Sequence, residues 1–308
     1  MAENNNGEIV TAGAKKGIRK GYIFMSFVPF AIVMAVQTAT TTPGIILAMI
    51  DMDRQGLPFE MATMMGIYNK KYALWGYIAY CVICIALFVP WYIKSYVKKD
   101  PKVLYKKALG FRPWVLSVSV MVCLFFVVNG AFTVVNRLLP EVMERYNYLM
   151  QITSFGTDVL ITVIYGYLLG PVTEELCFRG IMFSMLDRSG IHHIAVIVIQ
   201  GFLFGLMHMN PVQSIYAFVL GVILGYLRYR YRTVIITVIV HVVFNVFGTY
   251  VELSLAGLGI TENHYLLFGG IGLILTAVLM IAVIKDKTVY TEDRKETQVI
   301  SSSSSDAS

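Results

Sequence analysis

The sequence predicts an all-α, polytopic membrane protein, a bundle of eight transmembrane helices. Composition is the first observation behind this. Of 308 residues, 57% are hydrophobic and only 14% charged, against about 25% charged in a soluble domain. Mean hydropathy is +0.67. The second is pattern: runs of about 20 apolar residues, each able to cross a bilayer as a helix, recur along nearly the whole chain. The third is where the charge sits. The net charge is +6, and a basic balance can point to nucleic acid. Here the basic residues lie between the spans, so the expected partner is the lipid bilayer, with no nucleic acid.

Taken in order, residues 1–21 form a polar N-terminal tail. Its Lys15, Lys16, Arg19 and Lys20 precede an apolar run too long for the core of a cleavable signal, which is therefore read as a first span. That span starts near Tyr22 and ends before Asp51, with Thr40 to Pro43 as a candidate break. The next spans are placed at 74–93, 114–135, within 150–186, 194–209, 212–227, 234–250 and 265–284. Residues 22–284 thus form one membrane domain. The tail 285–308 ends in a serine run and is expected to be disordered. Met61, Met64 and Met65 in the first outer connection suggest a short amphipathic helix or a lid.

Eight crossings put both termini on one side. The segments on that side hold 19 Lys and Arg: four in 1–21, seven in 94–113, Arg188, three in 228–232 and four in 285–308. The opposite connections hold five: Arg54, Lys70, Lys71, Arg137 and Arg145. Basic residues concentrate on the cytoplasmic side, so both termini are expected in the cytoplasm, of a cell membrane if the source is prokaryotic. Segment 94–113, with seven bases and Trp114 after it, is suited to lie on an anionic leaflet.

The informative residues are the polar ones at membrane depth, where a charge costs about 2.5–3.5 kcal/mol at mid-span and survives by pairing or by facing a cavity. The fourth span carries Pro171-Val-Thr-Glu-Glu-Leu-Cys-Phe-Arg179. Glu175 and Arg179 are four apart and share a helix face, whereas Glu174 is rotated about 100° away, so one carboxylate can be held while its neighbour stays free. The fifth span carries Phe204 and His208, and the seventh carries His241 and Asn245 on one face. Taken singly, these have bland readings: an interfacial ion pair, a satisfied histidine at a span end, polar groups joining helices. Depth links them. At about 1.5 Å per residue, Glu174, His208 and Asn245 lie roughly 20 Å from the cytoplasmic ends of their spans and His241 roughly 13 Å. The same count assumes that Gly170-Pro171 does not break the fourth span. Gln37, Asn129 and Gln200 are single polar groups expected to bond between helices, and Asp158 lies near an outer end. His192, His193 and His264 fall in connections. Cys81, Cys84, Cys123 and Cys177 all lie in apolar segments as small packing residues; Cys177, one turn from Glu174, lacks a base placed to make it a nucleophile.

Glu174-Glu175 with Arg179, Phe204 with His208, and His241 with Asn245 resemble, in order, the EExxxR, FxxxH and HxxxN motifs of the CPBP family of CAAX prenyl endopeptidases and bacteriocin-processing or bacteriocin-immunity membrane proteins. The resemblance covers about 150–260, including Gly221, Gly225 and Arg232-Thr233. It implies an eight-helix bundle with an intramembrane catalytic cavity open to the cytosol. It further implies that Glu174 and His208 activate a water, that His241 and Asn245 stabilise the oxyanion, and that Glu175 and Arg179 support them.

The residue types suit that chemistry. Peptide hydrolysis needs an activated water and donors for the oxyanion, and no serine or cysteine nucleophile. The expected activity is an intramembrane endopeptidase acting on a membrane-associated, secreted or prenylated peptide or protein. A metal mechanism is the runner-up, with Glu174, His208 and His241 as three ligands of a zinc ion and water as the fourth. No HExxH motif is present, and Asn245 suits an oxyanion better than zinc, which favours a reaction without cofactor. A non-catalytic bacteriocin self-immunity or scaffold protein is the alternative. A transporter is disfavoured because no internal repeat is visible.

Overall fold

The structure is a computed structural model that describes residues 2–3, 9–10, 17–97, 109–152 and 162–288. It is all-helical apart from a two-residue antiparallel pairing of Ala2–Glu3 with Ile9–Val10. The expected disorder after 288, the leaflet-facing stretch 98–108 and Asp158 lie outside the described residues.

Helix α1 spans Lys20–Ser26 and α2 spans Val28–Arg54. The expected break at Thr40–Pro43 is absent: α2 runs through Pro43. Proline removes one N–H donor, which leaves the Ala39 carbonyl without its helical partner but does not end the helix. Thr38, Thr40 and Thr41 fold their hydroxyls back onto the carbonyls of Met34, Val36 and Gln37, so these three hydroxyls have acceptors within the helix. The methionine-rich connection is a helix, α3 (Met61–Lys71), packed on α2 with Met64 buried and Met61 exposed. Next come α4 (Ala73–Ser95), α5 (Phe111–Leu138) and α6 (Pro140–Ile152).

The glutamate-bearing segment, α7, is one continuous helix over 162–188. It alternates π-helical Thr162–Leu169, α-helical Gly170–Glu175, π-helical Leu176–Met182 and α-helical Phe183–Arg188. Gly170-Pro171 does not break it: Pro171 falls where the π turn passes into an α segment and removes one N–H donor without ending the helix. Helix α8 spans His193–Met207, capped by the His192 ring, which accepts from the Ile194 N–H. Helix α9 spans Pro211–Tyr231. Its start is fixed by Asn210, which accepts from the N–H groups of Val212 and Gln213, and its end by Arg232 at φ 54°. Thr233 caps α10 (Val234–Val246), which continues as a π turn, Phe247–Val251, into α11 (Glu252–Gly257). The last helix is α12 (Glu262–Lys285), started by a reciprocal cap between Thr261 and His264.

Five helical runs among the described residues are long and apolar enough to cross a membrane: Lys20–Arg54, Ala73–Ser95, Phe111–Leu138, Pro211–Tyr231 and Glu262–Lys285. Helices α8 and α10 are apolar but shorter, and α7 is composite. At about 1.5 Å per residue, a 15-residue α8 covers roughly 22 Å of a hydrocarbon layer of about 30 Å. Length therefore supports five of the eight expected crossings. The three shorter segments carry the polar groups and sit at the centre, with Phe178, Phe204 and Val240 fully buried in the core.

Polar contacts tie the helix ends into two groups. At one end the Arg19 N–H bonds the Ser189 carbonyl at 2.9 Å, and the Arg19 guanidinium bonds the Arg188 carbonyl. Arg188 lies over Tyr96, and His193 stacks on Tyr229. Arg230 bonds the Val283 carbonyl at 3.0 Å, and Tyr231 and Arg112 meet Asp286. At the other end Lys71 pairs with Asp51 at 2.7 Å, Asn69 bonds the Ile152 carbonyl, and Asn136 and Arg137 bond Glu262 and Asn263.

Candidate active site

Helices α7, α8 and α10 bring the polar residues together. Glu175 on α7 is fully buried and accepts at Oε1 from Arg179 Nη1 at 2.6 Å, one turn on, and from His241 Nδ1 at 3.0 Å. A carboxylate oxygen only accepts, so the His241 proton is on Nδ1. The opposite ring atom, Nε2, lies 3.7 Å from Glu174 Oε2. Two neighbouring glutamates thus have different surroundings: Glu175 is held by Arg179 and His241, while Glu174 faces only the far edge of the imidazole. When neutral, that edge is a lone pair opposite another acceptor; when protonated, it is a donor facing the Glu174 carboxylate.

Arg179 is fully buried and oriented from three sides. Its Nη2 donates to the Gly221 carbonyl of α9 at 3.2 Å, its guanidinium lies 4.4 Å over the Phe204 ring, and its own carbonyl accepts from Arg228. Gln200 of α8 donates to the same Gly221 carbonyl at 2.9 Å, the interhelical bond expected of it. The carbonyl is reachable because α8 and α9 touch backbone to backbone: a Cβ on Gly221 would stand 2.9 Å from Gly201 Cα. Asn129 differs from expectation. Its amide donates to the Phe125 carbonyl in its own helix, the nearest acceptor one turn back.

His208 follows the last turn of α8. Its Nδ1 lies 2.9 Å from the Phe204 carbonyl, which can only accept, so Nδ1 carries the proton and Nε2 the lone pair. Asn245 donates through Nδ2 to the Gly166 carbonyl of α7 at 2.9 Å. Gly166 is five residues before Pro171, and in a π turn its carbonyl would pair with the N–H that proline lacks. Asn245 fills that vacancy, which joins α10 to α7.

Glu174, His208, His241 and Asn245 all line one cavity of about 940 Å³, whereas Glu175 and Arg179 stand behind its wall. Tyr80, Tyr146, Tyr165 and Tyr216 form much of the rest, with Gln37 and Asn129. Glu174 is the one charged side chain that lines it among the described residues. These tyrosines were not singled out by sequence, since nineteen are spread along the chain without spacing that marks these four. The depth count placed His241 nearer the cytoplasmic end than Glu174, yet the two touch; it took Arg232 and Asp187 as level, which independent helices need not be. Cys177 is buried outside the cavity wall. Among the described residues no three His, Cys, Asp or Glu side chains are grouped to hold a metal ion.

An all-helical, membrane-type bundle around a cavity that polar side chains enter, with a buried Glu–Arg–His network at its wall, is the class that fold and site define. Residues 156–247 match the family model described as Rce1-like, type II CAAX prenyl endopeptidase. The match takes in all three motifs and supports, at the level of that family, an intramembrane endopeptidase acting on a peptide or protein. No match was found among curated proteins or among solved structures.

Proposed function

We propose that the chain is a glutamate-dependent intramembrane endopeptidase that cleaves a membrane-associated or prenylated peptide or protein without a metal. The observation that carries this reading is the divided environment of Glu174 and Glu175. Two adjacent carboxylates, one held at Oε1 by Arg179 and His241 and one open to a cavity beside an imidazole, suit two roles.

In the carboxylate–imidazolium form of the Glu174–His241 pair, Glu174 takes a proton from a water whose other hydrogen is accepted by His208 Nε2. The water oxygen bonds to the peptide carbonyl carbon and the C=O π electrons move onto oxygen. The His241 Nε2–H, present only in that same form, donates to this oxyanion together with the Asn245 amide. When the tetrahedral adduct collapses, the C–N bond breaks and the proton on Glu174 passes to the departing nitrogen. The products are a carboxylic acid and an amine. Glu175 and Arg179 act through His241, holding the imidazole so that its outer nitrogen faces the cavity.

Peptides in membrane and secreted fractions of cells carrying wild type or Glu174→Gln test the reading. Loss of a general base lowers turnover by about 10²–10⁴-fold, so a cleavage product should vanish in the variant at equal abundance and equal thermal stability. A product unchanged in the variant would reject the assignment and leave the scaffold or immunity reading. Cleavage should survive chelation; loss in chelator with recovery in zinc would move Glu174, His208 and His241 to the role of metal ligands.

A further inference from the structure

Both ends of the bundle carry their own polar ties, and the cavity belongs to one of them only. The end that gathers Arg19, Arg188, Arg112 and Arg230 holds the termini of α4 and α7 at Tyr96 and Arg188, and the starts of α8 and α10. No cavity-lining residue comes from the part of any helix next to that end. The lining instead comes from the opposite parts: Tyr77 and Tyr80 in the first two turns of α4, Tyr165 to Glu174 of α7, Met207 to Asn210 at the α8–α9 turn, and Asn147 and Met150 of α6. Helix α6 and the α8–α9 turn are connections at the far end, so the mouth lies there.

The charge distribution says which side of the membrane that is. Among the described residues, the segments at the Arg188 end hold ten Lys and Arg, and those at the mouth end hold five. The lysines and arginines of short connections stay on the cytoplasmic side during insertion. A cytosolic cavity, as the resemblance implies, and cytoplasmic termini, as the charges imply, are therefore incompatible in this chain. We infer that the cavity opens on the extracytoplasmic face. If the chain is the peptidase proposed above, its substrate is a peptide or membrane-protein segment presented at the outer leaflet, after translocation.

Thiol accessibility in the full-length chain tests the side without reference to activity. Tyr148 is exposed on α6 beside the mouth and Ile18 is exposed at the opposite end; neither lines the cavity. With a membrane-impermeant maleimide on intact cells, Tyr148→Cys should label as fully as after permeabilisation, and Ile18→Cys only after permeabilisation. Wild type, with its four native cysteines, is the blank. The reverse pattern would overturn the inference. A second arm offers the same reporter peptide exported or retained, with Glu174→Gln as control. Outward labelling with neither peptide cut would retain the orientation and reject the peptidase. Cleavage of the retained peptide alone would reject the orientation.

Discussion

At the scale of single residues, the buried polar network rests on Arg179. Removing one partner of a buried ion pair costs about 3–5 kcal/mol, because the other charge is left without compensation. Arg179→Met should therefore lower thermal stability in detergent by that amount, and the second change Glu175→Gln should restore part of it. A single variant as stable as wild type would show that Glu175 does not need the arginine. Asn245 is tied to a carbonyl that Pro171 leaves without its helical donor. Asn245→Asp puts an acceptor against an acceptor in a part-buried contact, so the cost should fall at or below that of an unsatisfied buried group, about 1–3 kcal/mol. Unfolding that is unchanged, with only turnover affected, would place Asn245 in the oxyanion site alone and not in the helix contact. The sequence made the Glu175–Arg179 and His241–Asn245 pairs readable because spacing of four is a property of one helix. It could not show which nitrogen of His241 carries the proton, or that Asn245 answers Pro171, since those depend on partners 66 and 79 residues away.

At the scale of elements, the site depends on how closely α8 and α9 approach. In lipid, helices do not gain from burying apolar surface against one another, and association depends on close packing and polar contacts. Gly201 and Gly221 supply the close packing; the Gly221 carbonyl, reached by both Gln200 and Arg179, supplies the polar contact. Gly221→Val should force these helices apart, with an overpacking cost of about 1–3 kcal/mol. It should also reduce cleavage, because Arg179 loses an acceptor and Phe204, beneath its guanidinium, shifts. Full activity in that variant, with a melting temperature like wild type, would show that the approach is not needed. Prolines were the least readable feature at this scale. Pro43 reads as a break, and Gly170-Pro171 as a possible one, yet both helices continue. A missing N–H removes one hydrogen bond, and whether a helix survives is decided by the surrounding segments, which a linear pattern does not contain.

At the scale of the molecule, an all-helical bundle with several helices long and apolar enough to cross a membrane was visible in composition, because the bilayer imposes that length and apolarity. Which segments surround the cavity was not, since lipid-facing and core-facing helices are similarly apolar. Helix α12 illustrates this. It is among the most apolar helices, yet it lies outside the site, with Leu267, Leu273, Ile274 and Val278 turned away from the bundle. It packs on α5 through Gly130 and Gly269, where a Cβ on either would stand 2.9 Å from the Cα of the other. Polar ties hold its ends: Glu262 and Asn263 at the mouth end, and the Val283 carbonyl and Asp286 at the other. No residue of α12 lines the cavity. Gly269→Leu should therefore destabilise the bundle by about 1–3 kcal/mol through overpacking at α5, read as a lower melting temperature in detergent. Cleavage below that temperature should remain near the wild-type rate, because α7, α8 and α10 keep their mutual contacts. Activity lost at unchanged melting temperature would mean that α12 reaches the reaction by a route other than stability, and that the catalytic core is larger than the segments from 162 to 251.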